Sequence, residues 1–172
     1  MTHQLMQHTL PPFFSADSRV LLLGSFPSPK SRELGFYYGH PQNRFWPVMA
    51  SLWDEPVPLT TPQRQDFARR HRIALWDVIS QCSIRGADDA SIRDVCPNDL
   101  NLILSAADIR EIFVCGHKAF DLYNRFCLPV YGRSAVPLPS TSPANCRFYD
   151  LPRLKEAFSA VRLAADPVTG ES

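Results

Sequence analysis

Short apolar runs alternate along this chain with longer segments whose apolar residues recur at helical spacing. The apolar runs end at glycine or at a polar residue, which is typical of buried strands. They predict strands at residues 19–24, 73–79, 111–116 and 135–138. The helical spacing predicts helices at residues 45–53, 61–71, 100–107, 118–126 and 152–164. Strands that alternate with helices favour an α/β fold built on a doubly wound parallel sheet.

Other segments lie outside this alternation. Residues 1–17 are expected to form an arm, in which Phe13 and its neighbour dock on the body of the protein. Residues 80–97 show no regular pattern and are expected to be irregular. Asn98 is expected to cap the helix that follows it, and residues 166–172 are expected to be a disordered tail.

Polar and aromatic residues follow each predicted strand. They lie in loops at residues 24–46, 77–89, 116–118 and 139–145. In a doubly wound sheet, ligands bind beyond the carboxyl ends of the strands. We therefore expect the loops to meet at one edge of the sheet and to form one cleft.

Composition indicates one domain over residues 1–172 and sets few limits on its partner. A chain of 172 residues with 45% hydrophobic residues can bury one full core. The formal net charge of +1 neither favours nor excludes nucleic acid, because a local basic face is enough for binding. The five cysteines are odd in number and include no C-x-x-C pair, which argues against a disulfide framework, a thiolate zinc site and an iron–sulfur cluster.

The chain shows no pattern for export or membrane insertion. Its first residues lack a charged segment followed by an apolar segment. No apolar run approaches the roughly 20 residues that cross a bilayer. Together with unpaired cysteines, these observations predict a soluble cytoplasmic protein that has no membrane partner.

The first loop, residues 24–46, combines hydrogen-bonding side chains with aromatic rings. This mixture suits a partner that is both charged and aromatic, such as a nucleotide. The loop lacks the G-x-G-x-x-G and Walker patterns, so a cradle for a dinucleotide or a nucleoside triphosphate is unsupported. It also lacks G-x-S-x-G, so nothing marks Ser25 as a nucleophile.

Three loop side chains have both a chemical and a structural interpretation. The amide of Asn43 can orient a water for a reaction with a cation-like transition state, such as cleavage of an N-glycosidic bond. It can equally cap the helix that starts near Phe45, and the residues alone favour the cap. Asp77 can accept a ring N–H from a purine such as hypoxanthine, or cap the next segment. His40 can contact phosphate or be a hydrogen-bonded loop histidine.

The remaining candidates are ambiguous one by one. The aromatic rings near the first loop can sandwich a flipped base or pack in the core. These rings belong to Phe26, Tyr37, Tyr38, Phe45 and Trp46. The polar residues after the last strand can grip DNA phosphates or form a surface turn stiffened by proline. These residues are Ser140, Thr141, Ser142 and Asn145, and a further anion contact can come from His117 and Lys118 at a helix start.

In combination these segments form a specific series of motifs. The first is Gly24-Ser-Phe-Pro-Ser, followed by Ser31 and Phe36-Tyr-Tyr-Gly-His-Pro-Gln-Asn-Arg-Phe-Trp46. The later ones are Ile73-Ala-Leu-Trp-Asp-Val-Ile79, Pro97-Asn-Asp-Leu100, Phe113-Val-Cys-Gly116 with Ala119, and Leu138-Pro-Ser-Thr-Ser-Pro-Ala-Asn145. In content and order they resemble the DNA-deoxyinosine (hypoxanthine-DNA) glycosylases, a branch of the uracil-DNA glycosylase superfamily. The resemblance covers roughly residues 19–160.

The resemblance implies a fold and a reaction. The fold would be a three-layer α/β/α sandwich with a central, mostly parallel sheet. The reaction would be hydrolysis of the N-glycosidic bond of hypoxanthine, and also of uracil or xanthine, by a monofunctional enzyme of base excision repair that needs no metal or other cofactor. The family's catalytic asparagine lies in its H-P-x-N segment, which places that role on Asn43. This implication reverses the preference for a helix cap at the same residue.

The resemblance also implies the contacts to the base and to DNA. The substrate-binding residues are expected to be Gly24, Ser25, Phe26, Pro27, Tyr38, His40, Phe45 and Asp77. The DNA-binding residues are expected to be Ser28, Lys30, Ser31, His117, Lys118, Ser140, Thr141, Ser142 and Asn145. The expected partner is DNA that contains deaminated bases, bound by a monomer at the bacterial nucleoid.

Three departures qualify the resemblance, and two alternatives to the glycosylase stay open. Cys115 stands where the family usually has asparagine, Ala87-Asp-Asp-Ala90 is poor in serine, and Phe158 replaces a tryptophan. The change at Cys115 can weaken activity or shift the base preference. One alternative is a nucleic-acid-binding module that has lost catalysis, although the intact H-P-Q-N segment argues against it. The other is an enzyme acting on free nucleosides, which would not need the 139–145 loop.

Overall fold

The computed structural model describes residues 2–166 as strands and helices that alternate along most of the chain. The strands are β1 (Gln4–Gln7), β2 (Val20–Gly24), β3 (Ile73–Asp77), β4 (Ile79–Ile84), β5 (Arg93–Pro97), β6 (Glu111–Cys115) and β7 (Val136–Leu138). The helices are α1 (Pro29–Leu34), α2 (Phe45–Leu52), α3 (Thr61–Arg70), α4 (Asn101–Leu104), α5 (His117–Phe126), α6 (Leu128–Tyr131) and α7 (Leu151–Ala165). Short 3-10 turns lie at Asp89–Ser91 and Pro143–Asn145. All the predicted strands and helices are therefore present, with ends that differ by a few residues.

A parallel sheet of four strands, in the order β3-β2-β6-β7, forms the centre of the fold. Both β2 and β3 are buried along almost their whole length, which explains why their sequences are continuous apolar runs. The register sets Gly24 opposite Asp77, and Cys115 opposite Leu138. The carboxyl ends of these strands consequently meet at one edge of the sheet.

Helices cover the sheet and close the hydrophobic core. Helix α2 packs against α7, where the rings of Phe45 and Phe158 lie 6.5 Å apart. Helix α7 also contacts β2, while α3 packs on β3 and α5 packs on β6. This arrangement is the expected α/β/α sandwich. Phe158 is fully buried, so it serves the packing of this core.

A second, antiparallel sheet joins β1, β4 and β5. The expectation that residues 80–97 are irregular is wrong, because this segment supplies most of β4 and all of β5. Both β1 and β5 are largely exposed and polar, so neither has the apolar pattern by which a strand is recognised. They are held instead by backbone pairing to β4, with Gln4 opposite Ile84 and Gln7 opposite Gln81 on the β1 side.

Strand β3 ends at Asp77, two residues earlier than the apolar run predicts. The N–H of Val78 donates to the carbonyl of Gly24 at 2.8 Å, and the chain then leaves the parallel sheet to form β4. The predicted helix cap at Asn98 is wrong. Its amide donates to the carbonyl oxygens of Asp77 and Ile79 at 2.9 and 3.1 Å, which fixes the chain where it passes from one sheet to the other.

The first loop contains a short helix, α1, that the sequence analysis did not predict. The hydroxyl of Ser28 caps it by accepting from the N–H of Ser31 at 3.1 Å, and Pro29 occupies the first turn. Gly35 ends the helix in the left-handed conformation, with φ of 77°. The six residues of α1 were too few to show a helical period.

The N-terminal arm docks on the body of the protein, as expected. Phe13 and Leu75 exchange backbone hydrogen bonds of 3.0 and 2.8 Å, and the Phe13 ring meets Phe36 edge-on. Of the predicted tail, only Asp166 lies within the described residues. Within residues 2–166, no helix combines the length and the apolar character needed to cross a membrane.

Candidate active site

A cavity of about 680 Å³ lies at the carboxyl edge of the parallel sheet. The ends of β2, β3 and β6 contribute Gly24, Asp77 and Cys115, which we call the floor. The cavity has the size of small-molecule binding sites in proteins. It lies where ligands bind in doubly wound sheets, and the strand order changes direction there because β3 and β6 flank β2 on opposite sides.

Most of the predicted site residues line this cavity. They are Gly24, Ser25, Phe26, Pro27, Ser28, Ser31, Tyr38, His40, Asn43, Asp77, Ser140, Thr141, Ser142 and Asn145. Those that do not line it are Lys30, Phe45, His117 and Lys118. The loops after β2, β3 and β7 therefore meet as expected, whereas the loop at 116–118 does not reach the cavity.

Asn43 lies in the cavity wall, just before the start of α2. Its Oδ1 accepts from the backbone N–H of Phe45 at 2.9 Å and from the hydroxyl of Thr141 at 2.8 Å. A backbone N–H can only donate, so the amide atom that faces it is the oxygen. Nδ2 has no hydrogen-bond partner among residues 2–166 and is left as the available end of the side chain. The side chain thus anchors the start of α2 and also offers two donors to the cavity.

Arg44 and Thr141 tie the first loop to the segment that follows β7. The backbone N–H of Arg44 donates to the carbonyl of Thr141 at 3.1 Å. Its guanidinium donates to the carbonyl oxygens of Ser142 and Tyr149. Thr141 is only 2% exposed, and its hydroxyl is directed at Asn43. The expectation that Thr141 binds DNA is therefore wrong for its side chain, which faces inward.

The carboxylate of Asp77 is held at one oxygen and free at the other. Its Oδ2 accepts from Nε2 of His8 at 2.8 Å, with both side chains less than a tenth exposed. Its Oδ1 has no donor among residues 2–166. A Cβ at position 24 would lie 2.7 Å from this Oδ1, so glycine at that position leaves the room that the carboxylate needs. His8 is not among the expected site residues because it lies 69 residues from Asp77 along the chain.

Tyr38 forms an aromatic wall of the cavity. Its ring stacks on that of Phe45, with centroids 3.8 Å apart and planes inclined by 10°. Phe45 is fully buried beneath it, so the expected substrate contact at Phe45 is wrong and its ring supports Tyr38 instead. Tyr38 has a φ of 55°, an uncommon conformation for a residue other than glycine that recurs at functional sites. Burial raises the pKa of its phenol well above the ordinary value.

The thiol of Cys115 completes the floor. Burial raises the pKa of Cys115 to about 12, and the nearby Asp77 carboxylate acts in the same direction. The thiol is therefore neutral at ordinary pH and is only a weak hydrogen-bond partner. The floor thus presents one strong acceptor, the free oxygen of Asp77, beside a group of low polarity.

An acidic segment at residues 84–90 forms the rim of the cavity. The sequence places the loop at 77–89 in the cleft, but the acidic residues of the rim were not among the expected site residues. The hydroxyl of Ser25 donates to Oδ2 of Asp89 at 3.2 Å. Desolvation of the Asp89 carboxyl raises its pKa, although much of the residue is exposed, and the hydrogen bond from Ser25 acts against this rise. Asp88 and Arg32 also line the cavity. Among residues 2–166, no three His, Cys, Asp or Glu side chains are grouped so as to hold a metal ion.

Two serines of the first loop that were expected to bind DNA serve the loop itself. The hydroxyl of Ser28 donates to Oγ of Ser31 at 3.1 Å, in addition to capping α1. Ser31 is 2% exposed, and its oxygen also accepts from the N–H of Gly39 at 2.9 Å. The Ser28 hydroxyl therefore directs its proton at Ser31, and the Ser31 side chain is buried away from the surface that DNA could reach. The expectation of a DNA contact is therefore wrong for the buried Ser31 side chain, and for the half-buried Ser28 it stays a prediction.

The polar segment after β7 keeps donors available. Oγ of Ser140 accepts from the N–H of Ser142, and Oγ of Ser142 accepts from the N–H of Ala144. Neither hydroxyl proton has an acceptor among residues 2–166, so both can donate to a bound partner. The amide of Asn145 donates to the carbonyl of Ser140 at 2.9 Å and keeps the turn closed.

The basic residues outside the cavity lie on exposed or half-buried surface. Nζ of Lys30 lies 3.6 Å from Glu33, and Nε2 of His117 lies 3.3 Å from Asp121. Helix α5 begins at His117, one residue before the predicted start, and no side chain caps it. A contact of these residues with DNA stays a prediction.

Comparisons with known proteins agree with this geometry. A family model described as the Uracil DNA glycosylase superfamily matches residues 11–162. A hypoxanthine DNA glycosylase of Methanosarcina barkeri is 30% identical over 138 residues, which are 80% of this chain and 87% of the relative. A hypoxanthine DNA glycosylase of Methanosarcina acetivorans is 32% identical over 146 residues, which are 84% of this chain and 91% of the relative.

A solved structure extends the match to the fold. It is the solution NMR structure of a putative uracil DNA glycosylase from Methanosarcina acetivorans, with a TM-score of 0.76 and 28% sequence identity. The alignment covers 92% of this chain and 99% of the other. The family model alone spans most of the chain, and it confirms the resemblance drawn from the motifs. This chain belongs to the uracil DNA glycosylase superfamily.

Proposed function

We propose that this protein is a DNA glycosylase that hydrolyses the N-glycosidic bond of hypoxanthine in DNA and leaves an abasic site. Both Methanosarcina relatives carry the name hypoxanthine DNA glycosylase, and each aligns over more than four-fifths of its own length. The amide of Asn43 carries the proposal. It lies in the wall of a cavity at the sheet edge, with its oxygen fixed by two hydrogen bonds and its donors free.

A base stacked inside a duplex cannot enter such a cavity, so the target nucleotide must first be flipped out of the helix. The rings of Phe26 and Tyr38 line the cavity and offer faces against which a base can stack. Extrusion is least costly at a mispair, such as hypoxanthine opposite thymine, which favours damaged sites over normal ones.

Asp77 supports recognition of deaminated bases in particular. Deamination of adenine to hypoxanthine turns N1 from an acceptor into an N–H donor, and deamination of cytosine to uracil does the same at N3. The free Oδ1 of Asp77 accepts hydrogen bonds and repels a ring nitrogen lone pair. One carboxylate can therefore favour hypoxanthine over adenine, and uracil over cytosine. Guanine also has an N1–H, so its exclusion needs a further contact.

Asn43 then acts on the sugar side of the scissile bond. As the bond between C1′ and the base nitrogen lengthens, its electron pair moves onto the base and the sugar becomes oxocarbenium-like. Nδ2 of Asn43 donates to the oxygen of a water and holds it, while a lone pair of that water forms the new bond to C1′. The proton that the water loses passes to solvent or to the departing base. The electrophile is already cationic, so the water needs placement more than deprotonation.

The duplex itself can be held by hydrogen-bond donors of the segment after β7 and by basic residues on the adjoining surface. The free hydroxyl protons of Ser140 and Ser142 suit phosphate oxygens, which carry no sequence information. Lys30, His117 and Lys118 can add charge to the same contact from outside the cavity. The amide of Asn145 keeps the turn closed, so its contribution is to the shape of this surface.

The test uses duplex oligonucleotides that each carry one hypoxanthine, uracil or xanthine opposite each normal base, together with an unmodified duplex. Single-turnover release is followed by strand cleavage with alkali at the abasic site. We expect hypoxanthine to be released fastest and the unmodified duplex to remain intact. Deoxyinosine monomer is included, because an enzyme acting on free nucleosides would hydrolyse it at least as readily as the duplex that contains hypoxanthine.

The outcomes separate the candidates. No abasic site on any duplex, despite tight and salt-dependent duplex binding, would identify a binding module and contradict the proposal. Hydrolysis of the monomer with no duplex activity would identify a nucleoside hydrolase. Release of uracil or xanthine without release of hypoxanthine would support the proposed reaction and contradict hypoxanthine as its substrate.

A further inference from the structure

His8 reaches the floor of the cavity from the N-terminal arm. The arm is fixed on either side of it, since β1 pairs with β4 before His8 and Phe13 exchanges backbone hydrogen bonds with β3 after it. The backbone N–H of His8 itself donates to the carbonyl of Ser80 at 2.7 Å. The imidazole meets the Phe26 ring edge-on, with centroids 5.8 Å apart, and lies beside Tyr37. Its side chain is 3% exposed, so packing holds the ring in one orientation.

The contact with Asp77 gives its two carboxylate oxygens different roles, because one is bound by His8 and the other is left unbound. Nε2 of His8 lies 2.8 Å from Oδ2, and a carboxylate partner requires this nitrogen to carry the proton. Oδ1 then points past Gly24, where a side chain would collide with it. Without the hydrogen bond to Oδ2, rotation about the terminal bond of Asp77 would be unrestrained on this side. The arm thus sets the direction of the free oxygen of Asp77, although His8 itself does not line the cavity.

We propose that His8 is a positioning residue of the site, which holds Oδ2 of Asp77 so that Oδ1 accepts the ring N–H of the flipped base. The inference rests on the proposed function, and it adds a residue from outside the matched family region, which begins at residue 11. The part of the chain that precedes this region is therefore a component of base recognition in this protein.

The test compares three substitutions at His8 in the full chain. His8→Leu fills much of the same space with an apolar side chain and removes the hydrogen-bond donor. His8→Gln restores an N–H at a similar distance without an imidazole. His8→Ala removes both packing and donor. Each variant is assayed for single-turnover release of hypoxanthine, for duplex affinity and for thermal unfolding, alone and combined with Asp77→Asn, which keeps the shape of that side chain.

We expect His8→Leu to lower the single-turnover rate about tenfold, as for loss of a hydrogen bond to a charged group, with unchanged duplex affinity. His8→Gln should recover most of the rate. In the Asp77→Asn background, His8→Leu should cause no further loss, and it can restore some rate because the amide is then free to turn its oxygen toward the base. This dependence on residue 77 is a coupling that a general packing role would not produce.

Two results would overturn the inference. One is an equal rate loss from His8→Leu in both backgrounds, and the other is a failure of His8→Gln to recover the rate while its unfolding temperature matches that of the unmodified protein. Were the unmodified protein to release no hypoxanthine, the proposed function would fall and this inference with it. An active enzyme with additive losses would refute the role of His8 alone.

Discussion

The first loop, residues 24–46, and the last loop, residues 139–150, both follow strands of the parallel sheet and both line the cavity, yet they are built in opposite ways. The first loop turns many of its side chains inward. Its buried residues are Ser25, Pro27, Ser31, Phe36, Tyr37, Gly39, Phe45 and Trp46. In the last loop, Thr141 is the one buried residue, and much of the remainder is exposed.

The difference separates two tasks. The first loop carries aromatic packing and serine hydrogen bonds that fix the walls of the cavity, and a binding site gains from such rigidity. The last loop presents hydroxyl and backbone groups toward solvent, which suits phosphate contacts that need no precise register. The two meet at the hydrogen bond between Asn43 and Thr141, reinforced by Arg44. A change on the first side should affect the chemical step, and a change on the second should affect DNA binding.

The largest effect is expected for Asn43→Ala, at the meeting point of the two loops. Loss of the donors that hold the water should reduce the single-turnover rate about 100- to 1,000-fold, with little change in duplex affinity. Loss of the anchor at the start of α2 should also lower the free energy of unfolding by about 1 kcal/mol. Asn101→Ala, on the exposed face of α4, is the matched control. A variant that still releases base at the original rate would remove Asn43 from the reaction.

A smaller effect is expected for Thr141→Val, which removes the hydroxyl of the last loop and keeps the shape of the side chain. Asn43 then loses one of the two hydrogen bonds that fix its oxygen, so the amide can rotate and the rate should fall about tenfold. Thr141→Ser keeps the hydroxyl and should retain most of the rate. If Thr141→Val weakened duplex binding instead and left the saturated rate unchanged, the threonine would belong with the phosphate contacts.

A still smaller effect is expected for Ser142→Ala, in the exposed part of the last loop. Removal of one phosphate donor should weaken duplex binding about two- to threefold, while the rate at saturating enzyme stays the same. Ser134→Ala, an exposed serine at the opposite end of β7, is the control and should change neither quantity. A loss of saturated rate in Ser142→Ala would contradict the division between the two loops.

Without any substitution, the thiol in the floor of the cavity and a thiol of the last loop should differ in their rates of alkylation. Burial raises the pKa of Cys115 to about 12, so almost none of it is thiolate at neutral pH, whereas Cys146 is exposed. Iodoacetamide at neutral pH should therefore alkylate Cys146 well before Cys115, as measured by peptide mass spectrometry over time. Rapid alkylation of Cys115 would mean that solvent reaches this thiol and that much of it is ionised.

Several features of the fold follow from the sequence because they rest on local patterns. The runs that form most of β2 and β6 are apolar without interruption, as expected for strands buried on both faces. Each run ends where the strand reaches the edge of the sheet. The motif around Asn43 likewise indicated the family before any geometry was known. By contrast, β1 and β5 carry no apolar period, since only their backbone groups bind them to β4.

The tertiary structure alone decided which atoms of the site are free. The sequence put an amide at Asn43 and a carboxylate at Asp77, and each can bind several partners in several orientations. Contacts with Thr141 and His8, which are 98 and 69 residues away in the chain, occupy one atom of each side chain and leave another facing the cavity. Such pairs depend on how distant segments pack, and no local pattern encodes that distance. The sequence therefore determined the chemical groups of this site, and the packing determined the direction in which they act.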